Sequence, residues 1–171
     1  MKIITLLFVI FFSVLTNTFA CSCASRPPFF KVAPSANLVA LVKIVKFSTF
    51  KDIYNEQTPM SMEVEIIETY KGKTTSKIIT VWGDNGMLCR PYLSLFVEGN
   101  YYVIAFFKGE DGTKGWTHPD EKATDYAISI CGEYWLNVDI KEQTAKGNSI
   151  DTPSLLTLDK IRKKLRYSKN K

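Results

Sequence analysis

One histidine, His118, serves all 171 residues. A histidine pair for a metal cannot be built from it, and no base sits in an obvious arrangement with a nucleophile. His118 lies in the polar run Trp116-Thr117-His118-Pro119-Asp120 and reads as a surface-loop histidine. There is no GxGxxG and no phosphate-binding loop, and Lys71-Gly72-Lys73 reads as a turn. Glu63 and Glu65 share a strand face, but the alternation that brings them together also turns them to solvent. The chain is therefore read as a non-enzyme without a cofactor. After residue 20 no apolar run approaches the ~20 residues that span a bilayer. No repeat or low-complexity segment occurs, and the seven Pro and nine Gly are scattered, which excludes collagen-like and disordered classes. The length suits one domain and not two sizeable ones.

What is present begins with a leader. Lys2 precedes an almost wholly apolar stretch from Ile3 to Val14, and Thr18-Phe19-Ala20 places small residues at the −3 and −1 positions of a cut after Ala20. Residues 1–20 thus read as a signal peptide and 21–171 as one exported domain, secreted, or periplasmic in a bacterium. Cys21 becomes the first residue. A cysteine at that position also allows a lipid-anchored lipoprotein, although Thr18 and Phe19 depart from the usual lipoprotein signal.

Charge is unevenly placed. Residues 160–171 hold seven Lys/Arg and no acid, whereas residues 21–159 hold 14 basic against 17 acidic residues, a net −3. The basic C-terminal tail reads as a solvated helix end, and an export signal makes nucleic acid an unsuitable partner.

Four cysteines, Cys21, Cys23, Cys89 and Cys131, in an exported chain imply two disulfides. Joining Cys21 to Cys23 would close a very small strained ring. Both residues are expected to pair with the distant cysteines, in either arrangement, and so to staple the N-terminus to the body. Four thiolates around zinc would lack the paired CxxC knuckles of a structural site.

Strands are predicted at 37–50, 60–70, 77–82, 100–108 and 126–131, separated by turn-rich segments of which Gly83-Asp84-Asn85-Gly86 is the strongest. The Pro-rich stretch 24–34 reads as an extended crossing segment. A helix is expected from Ser154 as N-cap, with Leu155, Leu156, Leu158, Ile161 and Leu165 recurring at helical spacing. The fold class is mainly β: a five-stranded OB-type barrel with a C-terminal α-helix, with a β-sandwich as the other architecture of this composition.

A terminal cysteine locked in a disulfide keeps a free α-amine. Its unperturbed pKa of ~7.7–8.0 leaves a useful neutral fraction at physiological pH. That nitrogen and its own carbonyl oxygen can form a five-membered chelate on a divalent metal, and a catalytic zinc keeps a position open for such ligands.

Cys21-Ser22-Cys23-Ala24 behind the leader, Cys89 just after a turn and Cys131 ahead of the closing helix resemble the N-terminal domain of the tissue inhibitors of metalloproteinases. These belong to the netrin-like OB-fold family. The resemblance covers roughly residues 21–166 and is to a minimal, bacterial-type member, since a third bridge and the C-terminal domain are missing. It implies Cys21–Cys89 and Cys23–Cys131 bridges and a monomeric inhibitor whose partners are zinc metalloproteases. It further implies that Cys21 chelates the target's zinc, that Ser22 enters the S1′ pocket, and that Cys23, Ala24, Met87 and Leu88 form the contact ridge. No metal of its own is implied. The alternative of a different class is a disulfide-stapled binding module or surface lipoprotein.

Overall fold

Alternating strand patterns curl here into a barrel. The computed structural model describes residues 21–53, 55–113, 117–149 and 153–167; residues 1–20, expected to form a signal peptide, and the end of the basic tail lie outside them. Strand β1 (Leu38–Phe47) pairs antiparallel with β4 (Ser61–Lys71) on one side and with β6 (Tyr101–Lys108) on the other. Strand β4 continues antiparallel to β5 (Ile78–Trp82), which runs parallel to the short β7 (Tyr126–Ala127), and β7 returns antiparallel to β6. The sheet therefore closes. Counted along the chain, the five barrel strands follow the order 1-2-3-5-4-1, the OB arrangement. Three register shifts between β1 and β4 supply the curvature that lets β1 reach both neighbours.

The burial pattern explains which segments became strands. In β4, Met62 and Val64 point into the core, while Glu63 and Glu65 face outward and pair with Lys46 at 3.2 Å and Lys77 at 2.9 Å. In β1, Leu38 to Val42 and Ile44 are all buried, so both faces of that half-strand are covered. One continuous apolar cluster joins the barrel interior to Phe29 and Val32, to Leu156, and to Leu158, Ile161 and Leu165.

Several local expectations are corrected. The stretch 24–34 is not extended throughout: Phe29–Val32 forms a single helical turn, α1, followed by a 3-10 turn at Ala33–Ser35. Buried Phe29 and Val32 anchor it. The C-terminal helix α2 spans Leu158–Tyr167 and does not begin at Ser154, because Pro153–Thr157 is a strand, β10. Leu155 is exposed and Leu156 buried, a period of two that the leucine stripe disguised. The fifth barrel strand shrinks to two residues. Two hairpins were not anticipated: β2 (Phe50–Ile53) with β3 (Glu56–Pro59), and β8 (Trp135–Asp139) with β9 (Thr144–Asn148), which extends the sheet from β6 to β10.

Helix α2 is held at two points near its middle. Arg162 grips Glu68 on β4 through two bonds, Nε to Oε1 at 2.6 Å and Nη2 to Oε2 at 2.7 Å. Lys164 Nζ lies 4.1 Å above the Phe30 ring, beside α1. The Arg162 guanidinium holds the Glu68 carboxyl below its ordinary value of 4.5, and burial, helped by the Glu68 charge, pushes the Tyr70 hydroxyl up to about 12. No helix among the described residues is long and apolar enough to cross a membrane.

Candidate functional site: a doubly stapled ridge

Residues 21–26 have no helix or strand of their own, so their position is fixed by covalent bonds. Cys21 is bridged to Cys89 and Cys23 to Cys131, which settles the pairing that residue types alone left open. The bridges lie side by side, with Cys21 Sγ 4.0 Å from Cys131 Sγ. Cys21, Ser22 and Ala24 are exposed and Cys23 is half-buried, so Ser22 projects from a segment held at the residues on both sides of it. Further along, Glu133 N–H donates to the Pro27 carbonyl at 2.9 Å. Gly132 makes this approach possible: its φ is +147°, and a Cβ there would lie 3.0 Å from the same oxygen.

The loop after β5 brings the second half of the ridge. Asp84 Oδ1 accepts the N–H groups of Gly86 at 3.1 Å and Leu88 at 2.7 Å, and Asn85 Oδ1 accepts that of Met87 at 3.1 Å. These bonds wind the loop tightly and leave Met87 55% exposed and Leu88 half-buried. Asp84 N–H bonds to Pro91 O at 3.0 Å, and Ile130 N–H to Cys89 O at 3.1 Å. Cys21, Ser22, Cys23 and Ala24 are thus brought to Met87 and Leu88 through Cys89.

Behind the loop is a brace that sequence reasoning missed. His118 is not a surface histidine: it is buried, its ring centroid lies 4.8 Å from that of Trp82, and its Nε2–H donates to Gly83 O at 2.8 Å. Burial pushes the imidazole below its ordinary 6.5, with the Gly83 bond and the Glu121 charge acting in the opposite sense. It is therefore neutral at pH 7, and a neutral ring can donate from Nε2. Glu121, with no exposed side-chain area, accepts from Arg90 Nη1 at 2.8 Å and from Glu110 N–H at 2.8 Å. Trp82 Nε1–H donates to Asp125 Oδ2 at 2.9 Å. Residues from 109–125 thereby clamp the segment 82–91 that carries Cys89. A charged pair such as Arg90 and Glu121, 31 positions apart, leaves no local signature. The only available hint was an aromatic and a histidine in an otherwise polar run.

The sulfurs of Cys21, Cys23 and Cys131 lie within 4.8 Å of one another, but all four cysteines are bridged, so none offers a thiolate to a metal. No family model and no curated protein matches the chain.

Proposed function

We propose that the exported protein, cut after Ala20, inhibits zinc metalloendopeptidases by presenting the Cys21 α-amine and carbonyl oxygen to the target's catalytic zinc. The observation that carries this reading is the segment Cys21-Ser22-Cys23-Ala24, exposed except at half-buried Cys23, stapled at both cysteines and joined through Cys89 to the loop of exposed Met87. Chelation by a main-chain terminus requires that the terminus be held still, because ordering a free end on binding would cost affinity. The bridge at Cys21 removes most of that freedom in advance. Ser22, between the two stapled residues, is positioned to enter a pocket next to the metal, and Met87 with Leu88 to widen the contact.

The lipoprotein alternative meets a chemical obstacle. Lipid attachment to a leading cysteine forms a thioether at its Sγ, and in Cys21 that sulfur is bonded to Cys89. The disulfides, together with the finding that no helix among the described residues is long and apolar enough to span a membrane, are compatible with an extracellular setting.

The test is inhibition of a panel of zinc endopeptidases by protein of verified N-terminus. The protein beginning at Cys21 should inhibit at least one of them, whereas a version with one alanine before Cys21 should keep its fold and lose inhibition. Equal potency of the two forms would exclude chelation by Cys21. Inactivity of both would favour a binding module.

A further inference from the structure

The turn from β4 to β5 overhangs a cleft of about 360 Å3, whose other wall is Lys108 at the end of β6 with Thr124 and Tyr126. It shares no residue with the ridge. Its volume falls in the ~300–1,000 Å3 range of small-molecule sites. None of its lining residues is acidic; residues 73–76 contribute Lys73 and three hydroxyl groups, and Lys108 and Thr124 add a second ammonium and a fourth hydroxyl. This is not a by-product of a basic surface, because residues 21–159 carry a net −3.

The cleft is shaped by the fold itself. Gly72 has φ +83°, and a Cβ there would collide with the Asn37 carbonyl oxygen, so the turn is seated directly on the start of β1. Lys71 Nζ adds a bond to Ala36 O. Thr74 Oγ1 accepts from Ser76 N–H and donates to Ser76 O, each at 3.3 Å, which sets the curvature of the rim. Across the cleft, Lys108 is held without being neutralised. Its N–H donates to Asn37 Oδ1 at 3.0 Å, and its ammonium lies 4.1 Å from the Tyr126 ring centroid and donates to Thr124 O at 3.3 Å. By contrast Lys46, Lys77 and Lys163 each pair with a carboxylate.

We infer that this cleft binds a small ligand carrying a compact oxyanion, a phosphate or sulfate ester on a sugar-sized polyhydroxyl body. Lys73 and Lys108 take the anionic oxygens from opposite walls, as charge-assisted bonds favour, and the hydroxyls of residues 74–76 and Thr124 take the body. A bare inorganic ion would leave most of the volume unused.

Nitrogen-15 NMR titration of the exported protein with glucose 6-phosphate, glucose 6-sulfate and glucose tests this. The esters should give saturable shifts at the amides of Thr74, Thr75, Ser76 and Lys108, and glucose none. A stronger response to the phosphate or to the sulfate ester assigns the natural source of the anion. The double variant K73Q/K108Q should keep its remaining spectrum and its protease inhibition while binding weakens by about a hundredfold or more, the loss of two charge-assisted bonds at about tenfold or more each. Lys108→Arg should retain binding. No saturable shift below about 10 mM, a threshold that already corresponds to negligible affinity, overturns the inference, as does equal binding by K73Q/K108Q or by glucose. Inhibition is read separately, so failure of the cleft and failure of the ridge are distinguishable.

Discussion

Arg90 Nη1 lies 2.8 Å from Glu121 Oε2, with the Arg90 side chain 9% exposed and that of Glu121 fully buried. Arg90 follows Cys89 directly, so this ion pair ties the bridge that positions Cys21 to the segment 109–125. Removing one member leaves a charge in a dry site. Glu121→Ala should destabilise the fold by about 3–5 kcal/mol, and a combined Arg90→Met and Glu121→Leu change by less than the single one. Urea unfolding decides: a cost below about 1 kcal/mol for Glu121→Ala, the value of an exposed pair, would mean that water reaches the site.

The bridges differ in what their loss should do. Each spans a long loop, with separations of 68 and 108 residues, for which loop entropy gives on the order of 4–5 kcal/mol. Replacing Cys23 and Cys131 by serine should lower stability, while the Cys21–Cys89 bridge still holds the terminus. Replacing Cys89 alone frees the terminus and should abolish inhibition. Peptide mapping without reductant should recover both linked pairs; a Cys21–Cys131 peptide would contradict the ridge geometry.

Met87 separates binding from stability. At 55% exposure its truncation to alanine should move stability by no more than about 0.5 kcal/mol. Inhibition should weaken by about tenfold where Met87 contacts the protease, as for an apolar contact residue at an interface. An inhibition constant unchanged across the protease panel would remove Met87 from the ridge.

The depressed His118 predicts acid sensitivity. Below its ordinary 6.5 the unfolded chain takes up a proton that the folded chain resists, so stability present above that value falls as pH decreases. Glu68, also lowered, from 4.5, adds a second loss at more acid pH, as its pairing with Arg162 is protonated away. His118→Asn should flatten the first step and leave the second. Thermal unfolding followed from neutral pH into the acid range tests this; an identical pH profile for the variant would assign the first step elsewhere.

Much of the barrel was legible because period-two alternation and turn chemistry are local. β4, with Met62 and Val64 inside and Glu63 and Glu65 outside, follows its sequence closely. What escaped was decided across the chain. Leu155 and Leu156 suit a helix by spacing, but pairing with Lys146 and Ala145 on β9 makes them strand. His118 is buried by Trp82 and Gly83, 35 positions earlier in the case of Gly83, a relationship no window of neighbouring residues contains. The two bridges join Cys21 to Cys89 and Cys23 to Cys131, the pairing that the cysteine arrangement implied, whereas the brace behind them depends on Glu121 meeting Arg90 in space.

The barrel's closure is uneven. β7 meets β5 through two register pairs, Val81 with Tyr126 and Trp82 with Ala127, and meets β6 through two more, whereas β1 and β6 match over six residues. A ring opens where it is least stitched, so local breathing should start at this seam, with amide hydrogens of Tyr126 and Ala127 exchanging before those of β1. Trp82, Asp125 and His118 are fastened across the same place. The rigidity of the exposed terminus is therefore borrowed from the seam: whatever loosens it frees the Cys89 loop first, and it does so while most of the sheet is still intact.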